Sequence, residues 1–163
     1  LTANGIPHCW PLETGIMVEI PSAALMAESL AEQVDFFSIG TNDLTQYTLA
    51  AERGNPALAN LADALHPAVL KLIHQVCQAA EAHGKWVGVC GELAGDPVAA
   101  PILIGLGVRE LSMTSSGIPR IKRLLSKLDL ADAQALASQV LEFHDAPALR
   151  QHASAFLSRL EQD

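Results

Sequence analysis

Positive charge is scarce in this chain of 163 residues: ten Lys and Arg stand against eighteen Asp and Glu, a formal net charge of −8. Nucleic acids and anionic membranes are bound through cationic surfaces, so neither is an expected partner. Cysteine is sparse as well. Cys9, Cys77 and Cys90 form an odd set without metal-type spacing, which fits a reducing cytoplasm. No apolar run approaches the ~20 residues of a membrane-spanning helix, and the first residues lack the charged-then-apolar pattern of a signal peptide. Low-complexity segments and short repeats are absent. What remains is a globular composition, half of it apolar, in a length that suits one domain, residues 1–163, with a real core.

The apolar residues follow an alternating rhythm. Gly15 to Ile20 is a short strand-like run broken by Pro21, after which Ala23, Met26, Ala27, Leu30, Ala31 and Val34 recur at helical spacing. Asp35 to Gly40, Trp86 to Cys90 and Glu110 to Thr114 are three further strand-like runs. Helices are expected over Asp43 to Ala51, from His66-Pro67 to Gly84, over Pro97 to Leu106, and around Ile118, Ile121, Leu124, Leu125 and Leu128. Two more helices are expected after Leu130, separated near His144 to Pro147. Four strands alternating with helices imply right-handed βαβ units and a parallel sheet, an α/β fold. Near-continuous apolar strands are what such a sheet needs when both its faces are covered.

The residues with chemical reach fall in one kind of place. Glu19 stands near the end of the first strand, Asn42 and Asp43 just past the second, and Cys90 with Glu92 at the end of the third. In parallel α/β folds, ligands lie at the carboxyl ends of the strands, so these side chains are expected to converge. Two carboxylates and an amide oxygen are hard ligands suited to Mg²⁺ or Mn²⁺. Plainer readings compete. Asp43 could be a helix N-cap; for Glu19, Ser22 is the better cap, and a carboxylate inside an apolar run is costly unless paired or metal-bound. Arg53 suits a solvated surface as well as a phosphate-binding fork. Cys90 lies among glycines that leave its thiol accessible, whereas Cys77 lies on an apolar helical stripe and reads as a structural residue. The six histidines show no ligand spacing and read as surface or cap residues.

The segments "GIMVEIPSAALMAESLAEQVDFFSIGTNDLTQYTLAAERGN", "GKWVGVCGELAGD" and "ELSMTSSGIPRIK" resemble the phosphoenolpyruvate-binding barrel of enzyme I of the bacterial sugar phosphotransferase system. They also resemble the enzyme I module of multiphosphoryl transfer proteins. The resemblance runs from Gly15 to Lys127. It implies Glu19 and Asp43 as Mg²⁺ ligands, with Mn²⁺ an alternative. It implies Asn42, Asp43 and Arg53 at the phosphoenolpyruvate, and Cys90 as the acid that protonates the enolate. A free thiol, with a pKa of about 8.5, is mostly protonated near neutral pH and can serve that role. The phosphoryl group would pass to a histidine on a separate swivelling domain and then to a phosphocarrier protein.

The resemblance also implies absences. A (β/α)8 barrel has eight strands in ~250 residues, and the four units here correspond to its second half. Residues 1–14 form a lead-in segment and residues 129–163 extra C-terminal helices. Half a barrel would expose strand edges and an apolar face, which favours self-association as a homodimer. Ser115, Ser116 and Gly117, before a helix carrying Arg120, Lys122, Arg123 and Lys127, admit a phosphate site, though a cap and turn with a solvated basic face is the plainer reading. The competing assignments are a pyruvate phosphate dikinase or phosphoenolpyruvate synthase relative, and a non-catalytic dimerisation module.

Overall fold

The computed structural model describes residues 1–52, 55, 58 and 61–162. After a 3-10 turn at Thr2–Asn4, strand β1 (Gly15–Val18) leads into two short helices, α1 (Pro21–Leu25) and α2 (Ala27–Ala31), and then β2 (Phe36–Gly40). Helix α3 (Thr41–Leu49) starts directly at the end of β2, and α4 (Pro67–Ala82) precedes β3 (Trp86–Cys90). A 3-10 turn at Glu92–Gly95 and α5 (Ala99–Gly105) separate β3 from β4 (Glu110–Ser112). Three helices follow: α6 (Ile118–Leu125), α7 (Leu130–Val140) and α8 (Ala146–Gln162). The four strands form one parallel sheet in the order β1-β2-β3-β4. The expected α/β fold is the one observed.

Local departures have local causes. The helical stripe from Ala23 to Val34 folds as two helices because Met26 leaves the α region at φ −95°, ψ 10°. Ser22 is not the cap expected there: Ile20 holds that position, and Pro21, with its preset φ and no N–H to satisfy, opens the helix. Between Pro97 and Leu106, only Ala99–Gly105 is α-helical; Pro97 and Val98 form a turn that follows the 3-10 segment Glu92–Gly95. The long apolar stripe of α4 behaves as its spacing predicts. His66 caps it by accepting a 3.1 Å hydrogen bond from the Ala68 N–H, and Gly84, at φ +65°, turns the chain away.

Helix α4 packs on α1, α2, β2 and β3 and covers one face of the sheet. Alternate strand residues point to that face, and Val18, Phe37, Ile39, Val87 and Val89 are buried there with Leu70, Ile73 and Val76 of α4. The other face is different. It carries Met17, which is 48% exposed, and half-buried Phe36, Ser38, Trp86 and Cys90. Glu110 and Ser112 on this face are exposed. The expectation of two covered faces is therefore met on one face only among the described residues. At the amino end of the uncovered face Phe36 stacks on Trp86 with ring centroids 4.4 Å apart. A Cβ at Gly15 would collide with the Phe36 ring as it stands, so the glycine lets the stacked ring lie over β1. The C-terminal helices dock through α5, where Gly105 lies directly against the Ala133 carbonyl of α7.

Candidate functional site

The strand register builds the site in two rows on the uncovered face. Met17 pairs with Ser38, Ser38 with Gly88, and Gly88 with Glu110. Two residues further along each strand come Glu19, Gly40, Cys90 and Ser112; Gly40 pairs with Cys90, and Cys90 with Ser112. This second row lies at the carboxyl end of the sheet, where parallel folds place ligands.

Glycine makes the convergence close. A Cβ at Gly40 would stand 2.7 Å from Glu19 Oε1, so the Glu19 carboxylate lies directly over the Gly40 backbone. Gly91 sits at φ +113°, and a Cβ there would stand 2.7 Å from Thr41 Oγ1 and 3.2 Å from Asn42 Oδ1. The turn after β3 is thereby drawn onto the start of α3. Hydrogen bonds fasten it: Thr41 Oγ1 donates to the Cys90 carbonyl at 3.0 Å, and the Glu92 N–H donates to Asn42 Oδ1 at 3.3 Å. Both threonines of α3 that serve this junction are buried, and Thr45 Oγ1 donates to the Thr41 carbonyl at 2.7 Å.

The capping alternatives for the carboxylates do not hold. Gly40 is the N-cap of α3, which places Asp43 within its first turn, and no side chain caps that helix. Glu19 precedes the Ile20 cap of α1. Both carboxylates are half-buried, and neither has an ion-pair partner among the described residues. Carboxylate oxygens without a protein cation beside them are hard ligands of the type a divalent metal takes. Among the described residues no group of three or more His, Cys, Asp or Glu side chains is placed to hold a metal ion. A hard cation that takes two protein carboxylates and fills its remaining positions with water and ligand oxygens does not need a third. Arg53 lies outside the described residues.

Cys90 is half-buried. Its Sγ accepts from Ser38 Oγ at 3.9 Å and donates to Met17 Sδ at 3.6 Å. Cys77, in contrast, is buried on α4, where desolvation and then the charge of Glu81 push its thiol up to about 12. Cys9 is exposed.

A cavity of about 480 Å³ opens beside Asn42 and Thr45, bounded by Asp63, Glu92, Asp96 and Arg150. Arg150, on α8, has no counterpart in the sequence reading. Its Nε and Nη2 donate to the two carboxylate oxygens of Asp63 at 3.1 and 2.8 Å, and its Nη1 donates to Asp96 Oδ2 at 2.9 Å. Burial pushes the Asp63 carboxyl up, but its hydrogen bonds from Arg150 and Leu65 and the charges of Arg150 and His66 outweigh that and hold it below its usual value. The hydrogen bonds that Arg150 donates to Asp63 and Asp96, with the charges of those carboxylates, in turn raise the guanidinium's own pKa. The Ser115 to Gly117 segment borders a neighbouring space of about 820 Å³ through Ser116 and Gly117, next to Thr114 and Arg120. Ser112, whose hydroxyl donates to Glu110 Oε1 at 2.8 Å, is another site neighbour that the motifs did not single out.

A parallel α/β sheet with carboxylate, amide and thiol groups converging at its strand ends defines a ligand-binding domain of the kind that works at that edge. Residues 1–130 match the family described as "PEP-utilising enzyme, PEP-binding domain", where PEP is phosphoenolpyruvate, and the chain belongs to that family. It is 51% identical over 146 residues to a phosphoenolpyruvate-protein phosphotransferase of Haemophilus influenzae, covering 90% of this chain and 25% of that protein. It is 55% identical over 139 residues to a multiphosphoryl transfer protein of Xanthomonas campestris, covering 85% and 17% respectively. A phosphoenolpyruvate-protein phosphotransferase of Lactococcus lactis is 47% identical over 141 residues, 86% of this chain and 24% of that protein. The chain thus spans a quarter or less of the length of these relatives.

Proposed function

We propose that this chain is the metal- and phosphate-binding part of a phosphoenolpyruvate-protein phosphotransferase, acting in sugar uptake in the cytoplasm. The observation that carries the reading is the approach of Glu19, Asn42 and Cys90 at the carboxyl edge of the sheet, from three separate strand-helix units. The names of the relatives support this assignment over a dikinase or synthase. A dimerisation module without catalysis would have no chemical use for an unpaired carboxylate beside a thiol.

Glu19 and Asp43 would hold Mg²⁺, or Mn²⁺, which when bound neutralises charge on the phosphate and the enolate oxygen. Asn42 and Arg53 would be the residues that bind the phosphate, through an amide and a guanidinium respectively. The phosphoryl group leaves the enol oxygen for a histidine nitrogen on another domain: the P–O bond breaks and a P–N bond forms. The enolate carbon then takes the Cys90 thiol proton, giving pyruvate, and the thiolate recovers a proton from water. From the histidine the phosphoryl group passes to a phosphocarrier protein. The four units form the second half of a (β/α)8 barrel in this reading. The exposed face around Met17 is covered by earlier units or by a second copy in a homodimer.

Calorimetric titration of phosphoenolpyruvate with Mg²⁺, repeated on Asp43→Asn, tests the assignment. Metal-dependent heat that disappears in the variant is expected. Equal binding without metal, or in the variant, would overturn it.

A further inference from the structure

Cys90 is held by two contacts of opposite sense. The Ser38 hydroxyl on β2 donates to Sγ at 3.9 Å, and Sγ–H donates to Met17 Sδ on β1 at 3.6 Å. The three side chains come from three adjacent strands on the uncovered face, with Met17 and Ser38 in direct register. Gly88, between Ser38 and Glu110, puts no side chain in the way. Sulfur is a weak donor and a weak acceptor, so each contact is modest. Their directions nevertheless differ in what they favour. A hydrogen bond donated to sulfur strengthens when the sulfur becomes anionic. One donated by the thiol exists only while the proton is present.

We propose that Ser38 and Met17 are paired positioning residues for proton delivery by Cys90. This rests on the role of Cys90 as the acid in the proposed reaction. The Met17 thioether holds the thiol proton directed across the uncovered face, on the side of the Glu19 strand, until a more basic carbon takes its place. The Ser38 hydroxyl then stabilises the thiolate that remains. One contact holds the proton and the other eases its loss, so the sulfur is oriented in both protonation states.

The opposed senses give a test that needs neither phosphoenolpyruvate nor metal. Iodoacetamide reacts with the thiolate, and peptide mass spectrometry follows its addition to Cys90 in a Cys9→Ser background. Cys77, buried with its thiol pushed up to about 12, stays silent. Glu19, Asp43, Glu92 and Glu110, the carboxylates on or next to this face, are present in every variant and cancel. Ser38→Ala should slow alkylation roughly two- to fivefold, Met17→Leu should speed it by a similar factor, and Ser38→Thr should keep the reference rate. General loosening of the strand ends would move both variants the same way. Shifts in one direction, a shift in only one of Ser38→Ala and Met17→Leu, or a Ser38→Thr rate matching Ser38→Ala would overturn the proposal. Because the assay contains no substrate, such a failure would leave the phosphoenolpyruvate assignment standing, and failure of the calorimetric titration would leave this result intact.

Discussion

The two faces of the sheet divide the labour of the molecule. On the face under α4, Val18, Phe37, Ile39, Val87 and Val89 are buried and wholly apolar. On the opposite face, one residue along from these on the same strands, stand Glu19, Ser38 and Cys90, with Glu110 and Ser112 of β4 beside them. Because side chains alternate at each step, neighbouring residues belong to different surroundings: Ile39 to the core and Gly40 to the candidate site. Stability and chemistry can therefore be perturbed separately, a single residue apart.

The largest effect should come from the packed face. Phe37→Ala removes a fully buried ring and should cost about 3–5 kcal/mol in urea unfolding. Ser38→Ala, the next residue on the opposite face, should cost less than about 1 kcal/mol. A comparable loss in both would break the division.

Gly105→Ala comes next. The added methyl would collide with the Ala133 carbonyl backbone, forcing α5 and α7 apart, with an expected loss of about 1–3 kcal/mol by denaturant unfolding. Gly40→Ala sharpens the contrast, since its methyl meets the Glu19 side chain rather than backbone. Unfolding should move by about 1 kcal/mol or less, while metal-dependent phosphoenolpyruvate binding measured by calorimetry should fall at least about tenfold.

Arg150→Ala should have a smaller effect, about 1 kcal/mol, because the guanidinium is partly solvated. Its pH dependence is the informative part. The Asp63 carboxyl is held below its usual value in the folded chain. The stability it contributes is fully present above the unfolded carboxyl pKa of about 3.9 and is lost as pH falls through the lower folded value. The gap between wild type and Arg150→Ala should be constant near neutral pH and close as unfolding is followed below about pH 4. Glu28→Gln, which weakens the exposed pair with His83 at 2.9 Å, should change stability by less than about 0.5 kcal/mol.

The strand-helix alternation was legible because each element carries its own period, as in α4, whose apolar stripe, His66 cap and Gly84 stop agree with one another. That Glu19, Asn42 and Cys90 would approach one another was legible because strand ends converge in any parallel sheet. Their surroundings were harder to read. Ser38 and Met17 look like ordinary strand residues until register sets them beside Cys90, and register is a property of paired strands. Arg150 reaches Asp63 and Asp96 across 87 and 54 residues, a separation over which local spacing carries no signal. The expected continuous helix after β1 failed because the stripe records which residues face inward and not whether the backbone between them stays helical at Met26.

In the proposed reaction everything depends on a metal held by Glu19, directly after β1, and Asp43, in the first turn of α3. Mn²⁺ binding measured by water-proton relaxation, with and without phosphoenolpyruvate, tests it most directly when compared across wild type, Glu19→Gln and Asp43→Asn. The wild-type chain should enhance the relaxation, more strongly with phosphoenolpyruvate present, and both variants should lose the enhancement. Enhancement that persists undiminished in either variant would contradict it.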